Sequence, residues 1–380
     1  SVVIPAWNAG EDLDRCLAAV FCSDYPLQEV IVVDDASTEP STAEIARRRG
    51  AKLLRMPRQS GPGQARNLGA REASGEVLLF TDADVVLHPD AIGKAVAALD
   101  ADPKVAAVFG SYDDRPAHPS LLSRYRNLYH HWNHQAGNEE ASTFWTGLGA
   151  VRRDVFLAMG GFSAEFGRPS IEDIELGYRL RAAGHSVRLV RDMQGTHLKE
   201  WTLAGMMKTD IFQRGVPWVV LLRRHPDVPN DLNLNLGARV ATVLAGLFLL
   251  GLMLLIPGLP WSLPFWPGLL LPLAAVAGIA WIQRGFLGRP LALLPAIVQP
   301  ADPRGRREDH RPDERDVRSR DPEDGHGGGH AHGPGRLPGH VGRGRVPAAG
   351  RRVSLKTQAH WEAAEIMAEG RPSSQVGTMQ

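Results

Sequence analysis

Two hydrophobic rhythms alternate along the first half of the chain. Short apolar runs such as Val2-Val3-Ile4, Val30-Ile31-Val32-Val33 and Val77-Leu78-Leu79-Phe80 read as buried strands, and between them apolar residues recur at helical spacing. The pattern predicts strands at 1–4, 29–34, 52–56, 76–81 and 105–111, with helices at 11–22, 41–49, 62–73 and 89–100. A more mixed second part adds strands at 146–152 and 186–191 and helices at 153–159 and 171–183. Strands and helices alternating at this pitch predict an α/β domain over residues 1–225 with a largely parallel sheet. The chain opens inside its first apolar strand, so a short segment ahead of Ser1 is expected.

The rhythm then changes. Between Val240 and Gln283 there is no Asp, Glu, Lys, Arg or His. Gly237 to Ile256 would span roughly 30 Å as a helix, the thickness of a bilayer core. Pro257-Gly258-Leu259-Pro260 breaks it, and Leu263 to Ile282 is again apolar. We expect two transmembrane helices over 237–283. Arg223, Arg224 and Arg239 flank the first, while Arg284 and Arg289 follow the second. By the positive-inside rule both ends, and the preceding domain, face the cytoplasm at the cell inner membrane. Pro217 to Leu222 reads as an interfacial segment. From Pro300 to Arg352 there is no Phe, Trp or Tyr, and Arg, Gly, Pro, His and Asp dominate. Such a stretch buries too little apolar surface to order itself, so 300–380 is expected to be a disordered low-complexity tail. The abrupt shift near Gln299 is what an out-of-frame segment of a GC-rich gene would produce. His326, His330 and His332 read as part of that solvated tail.

Charge adds one exclusion: Lys+Arg 43 against Asp+Glu 42 leaves +1, so no global field favours nucleic acid. Cys16 and Cys22 fall on different faces of one helix and are poor disulfide partners, so both are expected to be reduced core thiols.

The chemistry collects where strands end. The strand 76–81 runs into Asp82-Ala83-Asp84, and the strand 29–34 ends in Asp34-Asp35. Open α/β sheets bind ligands at those ends. Two carboxylates one residue apart suit Mg²⁺ or Mn²⁺ when a diphosphate supplies the other oxygens, which makes Asp82 and Asp84 candidate ligands. Asp34 and Asp35 are candidates for a nucleoside, unless they cap the helix at 41–49. The first strand leads into Pro5-Ala6-Trp7-Asn8, whose main chain could meet a flat base beside Trp7. Gly61 to Arg66 is a glycine turn opening a helix, suited to present N–H groups and the Arg66 guanidinium to phosphate.

Glu172-Asp173 begins an amphipathic helix, and Ser170 with Asp173 has the spacing of a capping box. A helix N-terminus also favours a negative side chain, which a general base for an acceptor hydroxyl requires. His197 is a candidate to complete a metal shell, and Arg214 offers a cation near a leaving group. Trp145 and Gly147 are candidate acceptor-side walls.

Together these pieces resemble the family 2 inverting glycosyltransferases of GT-A fold over roughly residues 1–220. The resemblance rests on Pro5 to Asn8, Asp34-Asp35-Ala36-Ser37-Thr38, Ala65-Arg66-Asn67, Asp82-Ala83-Asp84, Gly160-Gly161-Phe162 and Glu172-Asp173 with the Leu176-Gly177-Tyr178-Arg179-Leu180 run. It implies a Rossmann-like nucleotide-diphospho-sugar transferase domain and a divalent metal on Asp82-Ala83-Asp84. It further implies inversion at the anomeric carbon with Asp173 as base beside Glu172. Gln213-Arg214-Gly215-Val216-Pro217-Trp218 differs in spacing from the Gln-x-x-Arg-Trp of processive members. The expected donor is a nucleoside diphosphate sugar, bound through Pro5, Ala6, Asn8, Asp34, Asp35, Arg66, Asp82, Ala83 and Arg214. The hairpin makes a glycan or lipid-linked acceptor the expectation. Two alternatives remain at this stage: a sugar nucleotidyltransferase, or a catalytically decayed membrane-anchored sugar-nucleotide-binding protein. The first would want a basic glycine-rich loop after the first strand, and Pro5 to Glu11 carries no Lys or Arg.

Overall fold

The computed structural model describes residues 1–224, 231–232, 235–255 and 266–285. The expected tail at 300–380, with its histidine run, the loop Pro257 to Pro260, and Arg289 lie outside the described residues. Among the described residues nine strands form one sheet. They are β1 (Val2–Ala6), β2 (Val30–Asp34), β3 (Lys52–Arg55), β4 (Val77–Thr81), β5 (Val85–Leu87), β6 (Val105–Tyr112), β7 (Glu140–Ala141), β8 (Leu148–Arg152) and β9 (Ser186–His197). Their order is β3-β2-β1-β4-β8-β6-β9-β5, and β7 pairs with β9.

Helices α1 (Gly10–Phe21), α2 (Ser41–Arg48) and α4 (Ala91–Asp100) cover one face of the sheet. Helices α3 (Pro62–Glu72), α6 (Arg153–Ala158) and α7 (Glu172–Ala182) cover the other. Val2 and Ile4 of β1 therefore pack with Leu13, Leu17 and Leu99, while Val3 packs on the opposite side with Ala65, Phe80 and Leu176. Burial on both faces explains why β1 and β2 are continuous apolar runs rather than alternating ones.

The sheet is mixed rather than largely parallel. β3, β2, β1 and β4 run parallel, but β8 enters antiparallel between β4 and β6. Leu148 at its start pairs with Thr81 at the end of β4. The residues preceding β8 thus reach the same edge as the residues following β4, which a parallel strand would not achieve. β5 and β7 also pair antiparallel, both with β9.

Helix α5 (Leu121–Ala136) was not anticipated. Its polar and aromatic side chains lack a simple apolar stripe, and its N-cap is Ser120, whose hydroxyl accepts from Ser123 N. Cys16 is buried as expected, whereas Cys22, just past the end of α1, is exposed and is not a core thiol. The capping box proposed for α7 does not form. The Ser170 hydroxyl donates to the Gln213 carbonyl at 2.9 Å, and the N-cap position is Ile171.

Residues 203–224 form one helical rod: α8 (Leu203–Lys208), a π-helical turn Thr209–Gly215, and α9 (Val216–Arg224). Beyond it lie α10 (Leu236–Leu254) and α11 (Trp266–Ile282), which pack antiparallel. Gly237 faces Ile282, and Gly268 faces Leu255. Among the described residues α10 alone is long and apolar enough to cross a membrane; the apolar part of α11, Gly268–Ile282, is shorter.

Candidate active site

The ends of β1, β4, β6 and β9, the start of β8, the N-terminus of α7 and one face of α5 enclose a cavity of about 500 Å³. Pro5, Asn8, Arg66, Asp82, Ala83, Asp84, Trp145, Gly147, Glu172, Asp173, His197 and Arg214 all line it. Residues scattered over two hundred positions of sequence therefore meet in one place.

On one wall, the pairing of Val85 with His197 between β5 and β9 sets Asp84 beside the imidazole. Nε2 of His197 lies 3.4 Å from Asp84 Oδ2, and Nδ1 lies 2.8 Å from Asn127 Oδ1. When Asn127 Oδ1 accepts from Nδ1–H, Nε2 is left as the atom that faces Asp84. The ring stacks on Tyr112, centroids 4.3 Å apart, and Tyr112 meets Trp145 edge-on at 4.8 Å. Burial opposes the charge on Asp84, but His197 beside it holds the carboxyl below its ordinary range.

Asp82 behaves differently from its partner. Its Oδ1 accepts from Arg66 Nη2 at 2.5 Å, and Arg66 Nη1 reaches Glu172 Oε1 at 3.3 Å. Arg66 is buried, so the guanidinium bridges two carboxylates instead of standing open toward a phosphate. Burial, with Asp173 adding to it, pushes Glu172 up to about 7 against the pull of Arg66. Asp173 is held by three donors: Ile174 N at 2.8 Å on Oδ1, and Thr146 N at 3.1 Å and Oγ1 at 3.2 Å on Oδ2. Thr146 reaches it because β8 runs antiparallel.

The Asp34-Asp35 pair is turned inward. Asp34 accepts from Ser37 N at 2.8 Å and Arg55 Nη1 at 2.7 Å; Asp35 accepts from Ser60 N and Gly61 N, both at 2.8 Å. Both are buried, and neither lines the cavity nor caps α2, whose N-cap is Pro40 without a side-chain bond. The N–H groups of the glycine turn are thus drawn to Asp35 rather than presented to a ligand. Gly61 itself is required there: φ is +88°, and a Cβ would lie 2.8 Å from the Gly167 carbonyl carbon. Ala6 is buried behind the cavity and accepts from Asp35 N at 2.8 Å. Asn8 borders the cavity, but its Oδ1 accepts from Thr38 N and Glu39 N, tying the loops after β1 and β2 together.

The sequence reading missed the α5 wall. Asn127, His130 and His134 line the cavity at i, i+3 and i+7, a spacing that marks one helix face. Burial, then Arg214, pulls His130 well below its ordinary value, and burial brings His134 down to about 4. Nη1 of Arg214 lies 3.5 Å from His130 Nε2. Burial and repulsion from Arg126 pull Arg214 below the ordinary arginine value, with Asp210 and Asp173 opposing. Lys199, Trp201 and Asp12 complete the rim.

A divalent ion fits this edge in a specific way. Among the described residues no three His, Cys, Asp or Glu side chains are grouped to hold one unaided. The carboxylate of Asp84 and the Nε2 of His197 converge, and a hard ion bound by one or two protein ligands completes its shell with substrate oxygens and water.

The model of the family "Glycosyl transferase family 2" matches residues 1–160. The chain is 31% identical over 229 residues to a validoxylamine A glucosyltransferase of Streptomyces hygroscopicus subsp. jinggangensis, covering 51% of this chain and 54% of that protein. It is 29% identical over 205 residues to the glycosyltransferase AglE of Haloferax volcanii, covering 52% and 66%. The chain therefore spans about half to two thirds of the length of these curated relatives. Among solved structures, the mannosyltransferase PcManGT from Pyrobaculum calidifontis, in complex with GDP-Man and Mn²⁺, superimposes with a TM-score of 0.50 at 23% identity. That match covers 77% of this chain and 79% of that one, and it establishes a shared GT-A-like fold.

Proposed function

We propose that residues 1–160 form a family 2 glycosyl transferase domain and that the cavity moves a sugar from a nucleoside diphosphate sugar to an acceptor hydroxyl, with inversion. One observation supports this reading most: Asp84 with His197, from strand ends, and Glu172 with Asp173, from the start of α7, line one cavity. An in-line displacement needs one group beside the leaving group and another to take the acceptor's proton, and different elements supply them here.

Asp84 and His197 would hold Mg²⁺ or Mn²⁺, an ion whose charge, when bound, offsets that developing on the departing diphosphate. Asp173, oriented by Thr146, takes the proton of the acceptor hydroxyl. The acceptor oxygen bonds to the anomeric carbon, and the bond to the diphosphate oxygen breaks, its electron pair leaving with the nucleotide. Arg214 and Lys199 supply cations on the same rim. Pro5 and Trp7 form the base side of the pocket, with Asp34 and Asp35 shaping the loops behind it. Trp145 and Gly147 wall the acceptor side. We read α10 and α11 as a membrane hairpin that keeps this domain at the cytoplasmic face of the inner membrane. The acceptor is then a lipid-linked or envelope glycan.

The test uses the purified full chain, Mn²⁺ and a panel of nucleotide sugars; GDP sugars come first by analogy with PcManGT, and UDP sugars follow. Release of nucleoside diphosphate is expected. Pyrophosphate formation from a nucleoside triphosphate would instead make the protein a nucleotidyltransferase, and donor binding without turnover would make it a binding protein.

A further inference from the structure

The segment Gln213-Arg214-Gly215-Val216-Pro217 departs from α-helical bonding where it meets the cavity. Val216 N donates to the Ile211 carbonyl, five positions back, at the end of the π-helical turn Thr209–Gly215. Thr209 and Arg214 both line the cavity. Five positions of an α-helix would set them about 140° apart, whereas bonding from i to i+5 brings them toward one side. The wider turn is thus what aims Arg214 inward.

Two residues of the segment favour that turn. A Cβ at Gly215 would lie 2.9 Å from the Asp210 carbonyl oxygen, so this close approach calls for glycine. Pro217 is the residue whose N–H would reach the Gln213 carbonyl in an α-helix, and it has none to give. The Ser170 hydroxyl donates to that carbonyl instead, at 2.9 Å. Among the described residues no carboxylate pairs with Arg214 to do the aiming. Asp210, the acid of the same turn, is held by Arg126, and Arg214 Nη1 faces His130 Nε2 at 3.5 Å.

Ser170 is itself tied down. Its amide donates to Glu172 Oε2 at 3.0 Å, and Glu172 Oε1 accepts from Arg66 at 3.3 Å. One residue therefore touches both the acid pair that opens α7 and the turn that carries Arg214.

We propose that Ser170 is a positioning residue for the transfer: by holding the Gln213 carbonyl it keeps the π-helical turn, and with it the Arg214 guanidinium in the cavity. The inference rests on the reading of Arg214 as a cation for the departing diphosphate, and it adds what holds that cation in place.

Nucleotide binding to the full chain separates this role from a merely local hydrogen bond. GDP and UDP are titrated calorimetrically in Mn²⁺ into the parent, Arg214→Gln, Ser170→Ala and the double variant, with the folding of each checked by urea denaturation. Arg214→Gln is expected to weaken binding several-fold. Ser170→Ala should reproduce a large share of that factor in the parent and none of it in the Arg214→Gln background, where no guanidinium is left to aim. Pro217→Ala keeps the hydroxyl but returns a competing N–H. It should act in the same direction, again only with Arg214 present. Equal losses in both backgrounds, or losses in neither, overturn the positioning role and leave Arg214 at the diphosphate. An Arg214→Gln chain that binds as tightly as the parent removes that reading of Arg214, and the inference falls with it.

Discussion

Arg66 donates to Asp82 at 2.5 Å and to Glu172 at 3.3 Å, so one buried guanidinium ties the strand-end acid motif to the acid pair of α7. Arg66 and Glu172 are buried while Asp82 is partly exposed, so removing Arg66 leaves chiefly Glu172 uncompensated, at a cost of at most about 3–5 kcal/mol. Arg66→Ala is expected to lower unfolding stability by up to that order in urea denaturation, and Glu172→Gln in the same chain should restore part of it. A loss within the error of the titration would mean that the bridge does not contribute.

The unequal surroundings of the two aspartates predict unequal effects. Asp84 and His197 are the pair available to an ion, while Asp82 is engaged by Arg66. Asp84→Asn and His197→Gln should each raise the Mn²⁺ concentration needed for half-maximal turnover more than Asp82→Asn does. Chelation should abolish turnover in all of them. A larger effect at Asp82 in the Mn²⁺ titration would reverse this ranking.

Asp173→Asn keeps the shape of the site and removes a base. Turnover should fall about 10²-fold or more, while donor affinity, measured by calorimetry, stays near that of the parent. Turnover at the parent rate would take Asp173 out of the base role.

Glu172 gives a pH signature. Burial raises it to about 7 in the folded protein from an ordinary 4.5. Between these values the native state holds a proton that the unfolded chain releases, so its contribution to stability falls as pH rises through that window. The stability difference between the parent and Glu172→Gln should therefore shift toward the variant from about pH 4.5 to about pH 7. A difference that is flat with pH in parallel denaturation series would contradict the burial argument.

Much of this site was legible before any coordinates. Asp82, Asp84, Glu172, Asp173, His197 and Arg214 all reach one cavity, because strand ends and helix starts announce themselves in the apolar pattern. What stayed hidden depended on long-range register. The antiparallel entry of β8 brings Thr146 to Asp173, and the pairing of β5 with β9 brings His197 to Asp84; no local spacing encodes either. Asp34 and Asp35 misled for the same reason. Their acidity looked like ligand chemistry, but Arg55 and the Ser60 and Gly61 amides, some twenty-five positions away, satisfy them internally. Helix α5 escaped because His130 and His134 line a polar cavity rather than a core.

The most direct test of the account is calorimetric titration of GDP and UDP into the full chain, with Mn²⁺ and then with a chelator. Saturable binding of at least one nucleotide that requires the ion, and that Asp84→Asn removes, is the predicted result. Equal binding with and without the ion, or binding that Asp84→Asn leaves intact, would contradict the claim that this edge of the sheet holds a nucleoside diphosphate through a divalent cation.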